Sequence, residues 1–295
     1  MSIVTFWNDD REQTGKTLTS VAVATRMAID CNYKILLIST SFQDPTMKNC
    51  FWEDEMPKSL KLFGAKTRNI AVANGIDGLL KLIAANKLTP SVITDYTKVI
   101  FKGRLEVLTG LRGIKGNSYG TNYEEYKKIE KNYIELIRMA NQYYDMVLVD
   151  LEKTMSIETK NEILRISNLN VMVFSQKKVS VDRYKELKDK KDEETVGIKT
   201  IPVIGKYTSH SKYNIKNITR YLEEKKEISV LPFNLLYFEA AEEAGVTDLF
   251  LRIKNIKDKT DENYIFMNEV QKLMEKIIKK LQELQMKMRW KNVIN

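Results

Sequence analysis

The sequence predicts an α/β fold, a doubly wound and mostly parallel sheet with helices on both faces. Three observations predict it: short β-branched apolar runs recur along the chain, stretches of helical periodicity alternate with them, and several runs are apolar without a break. Half-exposed antiparallel strands would alternate polar with apolar residues instead. At 295 residues and 43% hydrophobic content, the chain can bury the core of one large domain or two small ones.

The candidate strands are Ile3 to Trp7, Lys34 to Ile38, Arg104 to Leu108, Met146 to Val149, Val171 to Phe174, Ile201 to Ile204 and Ile228 to Leu231. Those near Lys34, Met146 and Val171 are close to continuously apolar, as strands covered on both faces should be. Helical spacing marks Lys16 to Ile29, Asp77 to Asn86, Tyr123 to Tyr143, Ile157 to Ile166, Val181 to Lys191 and Leu235 to Ala244. The stretch from Gly103 to Gly120 holds five of the twelve glycines, a density that suits a loop approaching something closely or moving, and equally an irregular connection.

Composition narrows the function classes. No stretch reaches the roughly 18 uninterrupted apolar residues of a spanning helix, and SIVTFW at the N-terminus lacks a charged leader region, so a cytoplasmic location is expected. Cys31 and Cys50 form no C-x-x-C pair, and His210 has no second imidazole near it, which argues against a zinc site. The net charge of +9 permits attraction to nucleic acid or an anionic membrane. Residues 177–194 are nearly balanced in sign and read as a solvated helix face, whereas Tyr264 to Asn295 carries seven basic residues against three acidic.

In an open parallel sheet, ligands bind beyond the carboxyl ends of the strands. After Trp7 comes NDDREQTGKT, and a helix begins near Lys16. A phosphate-gripping loop needs backbone N–H groups at a helix start, a Lys reaching the outer phosphate oxygens and a Ser or Thr hydroxyl on Mg²⁺. Thr14, Gly15, Lys16 and Thr17 supply these parts for ATP. Asp10 stands where the usual pattern has its first glycine, and Asp9, Asp10 and Glu12 bring negative charge to the loop. Arg11 is the one basic residue ahead of Lys16, with the reach to touch phosphate in its own subunit or a partner's. A second strand closes on Asp150, the carboxylate expected to hold Mg²⁺. After the strand from Lys34, the first acid is Asp44, which either orients attacking water or caps a helix beginning at Pro45, the cap being favoured.

This arrangement, with YDMVLVD before the carboxylate, resembles the ParA/MinD family of deviant P-loop ATPases over nearly the whole chain. The resemblance implies a P-loop NTPase fold with ATP and Mg²⁺ as ligands and a nucleotide-sandwich homodimer. It also implies that PVIGKY and ISVLPFN, with Lys206 and Pro232, flank the adenine. Where the family loop reads K-G-G-x-G-K-[ST], this chain has Arg11, Glu12 and Gln13 in place of Lys, Gly and Gly, so Arg11 takes the place of the lysine that reaches across the dimer. Ser39 and Ser41 stand where relatives carry acids, which favours nucleotide binding over efficient hydrolysis. Within the family, SFQDPTMKNCF, GRLEVLTG and SKYNIKNITRYL look closest to the TadZ/CpaE branch, implying a role with secretion or pilus machinery.

The expected organisation is a P-loop ATPase-like domain over 1–256 and, over 257–295, a hinge and a C-terminal amphipathic helix. Leu273, Met274, Ile277, Ile278, Leu281, Leu284 and Met288 form one stripe of that helix, with lysines on other faces. The stripe suits packing on the same domain or a partner, the favoured reading, or lying on an anionic membrane, which would make the protein peripheral to it. The leading expectation is an ATP-dependent positioning or assembly switch with a protein partner. The alternatives are a DNA-partitioning ATPase that binds DNA non-specifically and a non-catalytic scaffold. A cluster-bearing reductase would need a cysteine at a dimer interface, and Cys31 falls at the end of the first helix.

Overall fold

The computed structural model describes residues 1–10, 12–41, 44–53, 75–110, 123–190, 197, 199–225 and 228–294. Its centre is an eight-stranded sheet in the order β3-β4-β2-β5-β1-β6-β7-β8. The strands are β1 (Ser2–Trp7), β2 (Ile35–Ser39), β3 (Lys98–Phe101), β4 (Leu105–Leu108), β5 (Met146–Asp150), β6 (Leu169–Phe174), β7 (Thr200–Tyr207) and β8 (Ser229–Pro232). All pairings are parallel except β3 with β4.

Every residue of β1, β2, β5 and β6 is buried, which explains their predominantly apolar sequences. Successive side chains still point to opposite faces. Val4 and Phe6 enter one core and Ile3 and Trp7 the other, so the sheet is the middle of three layers. Fully burying one such side chain stabilises the fold by about 1.5–3 kcal/mol before conformational entropy is charged against it.

The first core is closed by α1 (Lys16–Asp30), α2 (Thr46–Asn49), α8 (Leu235–Glu242), α9 (Val246–Ile253) and α10 (Glu262–Ile294). The second is closed by α3 (Ile76–Ala84), a 3-10 turn (Pro90–Tyr96), α4 (Tyr123–Ala140), α5 (Ile157–Ile166), α6 (Lys178–Asp189) and α7 (Ile215–Tyr221). Side-chain caps fix three helix starts: Ser156 accepts from Thr159 N, Asn214 from Asn217 N and Asn234 from Tyr237 N. Glu130 of α4, fully buried, adds to the first, accepting from the Ser156 amide at 3.0 Å and from the Thr159 hydroxyl at 3.2 Å.

Several elements differ from the sequence reading. The eighth strand, β3, is a four-residue antiparallel edge strand with Lys98 and Val99 exposed; the sequence reading does not include it, its apolar run from Val99 to Phe101 being only three residues long. Helices α7 and α9 have only 7 and 8 residues, about two turns each, and the sequence reading does not include them, whereas α2, with 4 residues, is the short helix expected to begin at Pro45. The helix expected to run to Tyr143 ends at Ala140, and the last helix, α10, already begins at Glu262, inside the polar run 257–263 read as a hinge. Of the glycine-dense stretch, 111–122 lies outside the described residues, while Gly103 turns the chain between β3 and β4.

The apolar stripe of α10 faces inward. Phe266, Val270, Leu273, Met274, Ile277 and Leu281 are all buried in the first core. Arg26 of α1 donates to Gln271 Oε1 at 3.2 Å, tying α10 to the helix that follows the loop after β1. Among the described residues, no helix is long and apolar enough to cross a membrane.

Candidate functional site

The register of the central strands assembles the site. Asp150, last in β5, lies level with Phe6 on one side and Ser39 on the other, so its carboxylate stands where the chain leaves β1 for the loop. The backbone beyond is locked: Leu151 N donates to Phe6 O at 2.9 Å, Thr40 N to Asp150 O at 3.1 Å, and Glu152 N to the Thr40 hydroxyl at 2.8 Å. Helix α1 then starts at Lys16 from Gly15, which has φ +81°. A side chain at that left-handed position would be strained, and a Cβ there would also come within 3.0 Å of Lys206 Cγ. Among the described residues, no side chain caps α1, and its first turn holds no acid, so the N–H groups of a helix start face a site suited to an anion.

Three expected residues converge under that start. Lys16 Nζ makes an ion pair with Asp150 Oδ1, and the Thr17 hydroxyl donates to Asp150 Oδ2 at 2.8 Å. The side chains of Lys16 and Asp150 are only 11% and 3% exposed, so the pair is shielded from water. Burial pushes the Asp150 carboxyl above the usual carboxylate range, against the pull of the Lys16 charge and of its two hydrogen bonds. Thr14 is buried, and its hydroxyl accepts from Asn8 Nδ2 at 3.3 Å. Behind it runs Gly205, where a Cβ would stand 2.1 Å from the Thr14 carbonyl oxygen, so β7 can support the loop only with glycine there.

These residues fit a magnesium nucleotide. Thr17 and Asp150 offer hard oxygen donors side by side. Among the described residues, no cluster of three or more His, Cys, Asp or Glu could hold a metal. A site with one carboxylate and one hydroxyl is the kind Mg²⁺ occupies when phosphate oxygens and water complete its shell.

The loop acids are turned away from this centre. Asp9 Oδ2 accepts from Arg183 Nε at 2.7 Å, Asp10 accepts from the Ser180 hydroxyl, and Glu12 pairs with Lys177. Burial raises the Asp10 carboxyl, partly offset by the Ser180 bond. The balanced charge of 177–194 reads as a solvated face in sequence, yet three of its residues meet the loop. No local spacing signals a contact across about 170 residues.

Other expected residues are placed as follows. Arg11 lies outside the described residues. Asp44 is exposed and accepts from the amide and hydroxyl of Thr46, at 2.9 and 2.6 Å, at the start of α2. Ser39 and Ser41 are buried and bonded to each other at 2.8 Å. Lys206, at φ 51°, extends across Gly15. Pro232 is level with Tyr207 across β7 and β8, where Phe233 N donates to Tyr207 O at 2.8 Å. A cavity of about 770 Å³ opens beside these strand ends, lined by Tyr207, His210, Pro232 and Phe233 and by Glu262 and Ile265 of α10.

The fold is that of the ParA and MinD P-loop ATPases. A ParA family ATPase from Chlorobium tepidum TLS superposes with a TM-score of 0.65 over 91% of this chain and 98% of its own, at 12% identity. A plasmid partition protein from Borrelia burgdorferi B31, bound to AMPPNP, matches over 97% of this chain and 99% of its own, at 15% identity and a TM-score of 0.55. The septum site-determining protein MinD from Pyrococcus horikoshii OT3, complexed with Mg-ADP, covers 92% of this chain and 95% of its own, at 13% identity and a TM-score of 0.59. No protein-family model and no curated protein matches the sequence.

Proposed function

We propose that this chain is an ATP-binding switch of the ParA/MinD type, slow or inactive in hydrolysis, that positions or assembles a larger cellular machine. The meeting of Lys16, Thr17 and Asp150 beneath the uncapped start of α1 carries this reading. In it, the amides of α1 and the Lys16 ammonium take phosphate oxygens, and Thr17 and Asp150 hold Mg²⁺. The bound ion neutralises phosphate charge. Lys16 must then turn from Asp150 towards phosphate, so nucleotide binding rearranges a buried ion pair. Lys206 and Pro232 border the base, and Arg11 acts across a homodimer, as the family resemblance implies.

Weak turnover is supported by the residues at and beyond the end of β2. Ser39 and Ser41 satisfy each other, and Asp44 is engaged by Thr46 at the start of α2. Phe233, Leu235, Leu236 and Phe238 are exposed together at the β8 to α8 turn, an apolar patch suited to a second subunit or a protein partner. Secretion or pilus machinery is the setting that the TadZ/CpaE resemblance implies. Membrane attachment would fall to the turns of α10 beyond Leu284, because the stripe through Leu281 is covered.

A second reading, DNA partitioning, has one observation of its own. Lys212, in the bend before α7, and Lys216 and Arg220, within α7, are exposed at four-residue spacing, and residues 208–222 contain no acid. ATP-dependent binding to random duplex DNA that collapses with salt would favour it. The deciding experiment for the first reading is calorimetric titration with ATP and Mg²⁺, followed by a phosphate-release assay. Wild type should bind and release phosphate slowly or not at all, and Lys16→Ala should not bind. Equal affinity in both removes the nucleotide reading.

A further inference from the structure

The geometry points to Ser180 and Arg183 of α6 as positioning residues for the phosphate loop: they hold Asp10 and Asp9 aside, and so let a loop rich in acid accept a polyphosphate. This rests on the nucleotide reading above and adds to it a part that the loop sequence does not contain.

The loop carries three carboxylates within four residues, Asp9, Asp10 and Glu12. Asp10 replaces a glycine of the common phosphate-loop pattern. Unrestrained, the three would add negative charge beside a ligand that is itself strongly negative. Each is met by a different residue of one short segment: Glu12 by Lys177, Asp10 by Ser180 and Asp9 by Arg183. The partners are spaced three apart, which places them on one stripe along the start of α6. The order is regular, since the loop runs down the stripe in the reverse direction to the helix. A regular series of contacts is a built seam.

Ser180 is the fixed point of the seam. It is buried, its oxygen accepts from the Ser175 amide at 2.8 Å, and its proton goes to Asp10. The turn after β6 therefore sets the direction of the hydroxyl. Arg183 and Asp9 are 47% and 22% exposed at the side chain, and an ion pair so open to water contributes little to stability. Its effect is local: it lowers the repulsion that an anion at the start of α1 would meet.

The test is MgATP affinity measured by titration on the full chain, beside the melting temperature of each variant. Arg183→Gln and Ser180→Ala should each weaken binding about five- to tenfold, the melting temperature moving by no more than about 2 °C for the exposed Arg183 and falling by several degrees for the buried, doubly bonded Ser180. Adding the matching neutral residue should restore affinity to within about twofold of wild type, in Asp9→Asn/Arg183→Gln and Asp10→Asn/Ser180→Ala. Arg183→Lys should recover part of the loss. A residue needed only for folding would show no such rescue. Single variants that bind as wild type, or double variants that bind no better than the singles, overturn the proposal and leave the nucleotide reading standing, provided that Lys16→Ala abolishes binding in the same assay. Absence of MgATP binding by wild type overturns both.

Discussion

Lys16 and Asp150, 134 residues apart, form a shielded ion pair at the point where β1 and β5 release the chain. Deleting one member of such a pair leaves the other charge buried and uncompensated, at a cost of about 3–5 kcal/mol. Lys16→Ala should therefore lower stability towards the smaller of those values, since a neutralised Asp150 recovers part of it. Lys16→Ala/Asp150→Asn should be more stable than Lys16→Ala alone, because the orphaned carboxylate is gone. Urea unfolding of the two variants checks the order, and the double variant also serves as a folded control for the loss of nucleotide binding.

Gly205→Ala tests the support behind the loop. Its Cβ would stand 2.1 Å from the Thr14 carbonyl and 3.0 Å from Val173 Cγ1. Backbone must move to admit it, and overpacking of this kind costs about 1–3 kcal/mol. We expect a lower melting temperature together with a loss of MgATP affinity larger than in an equally destabilised variant remote from the loop, such as one in the second core. Equal affinity loss in both would show that Gly205 matters only for packing.

The fold was legible because its central strands are covered on both faces. Continuous runs such as MVLVD and LNVMVF follow from that burial, and the strand ends then point to Lys16, Thr17 and Asp150. What was not legible depends on contacts between distant residues. Arg183 reads as one more charge on a mixed helix, and only the packing of α6 beside the loop sets it against Asp9. Gly205 reads as a glycine inside a strand, and its reason is the Thr14 carbonyl against it. The edge strand β3 is hard to read because its apolar run, Val99 to Phe101, is only three residues long, too short to tell a strand from a loop.

Asp10 gives a pH signature. Burial first, opposed by the Ser180 hydrogen bond, raises its carboxyl above the ordinary 3.8. The folded state then holds this proton more tightly than the unfolded chain, so the stabilising contribution is full below 3.8 and is lost as pH rises through the raised value. Asp10→Asn removes the titrating group. The difference in unfolding free energy, wild type minus Asp10→Asn, should fall from acid pH to mildly acid pH and then level off. A difference that rises over that window would mean that the carboxyl is held as an anion by its partners.

Glu130 is a buried acid with a structural task. It accepts from the amide and hydroxyl of Ser156 and from the Thr159 hydroxyl, at the entrance of α5. Glu130→Ala leaves these donors buried without their acceptor, and hydrogen bonds to charged groups contribute about 1.5–3 kcal/mol each. Stability should fall by a few kcal/mol, with Glu130→Gln milder because one oxygen still accepts. Denaturant melts of both variants settle the order.

Tyr237 joins the layer containing α8 and α10 to α1, the helix that begins at Lys16. Its hydroxyl donates to the Leu18 carbonyl at 2.6 Å, and its ring packs against Phe250 and Phe266 at centroid distances of 5.8 and 4.8 Å. Tyr237→Phe keeps the ring and removes the bond. The Leu18 oxygen lies in the first turn of a helix, where the helical ladder also uses it, so the loss should be near the value of one neutral hydrogen bond, about 1 kcal/mol. Tyr237→Ala also empties an aromatic site in the first core and should cost about 3–5 kcal/mol. If Tyr237→Phe were as damaging as Tyr237→Ala, the hydroxyl and not the ring would be what anchors α8 to α1, and the packing account of this contact would fail.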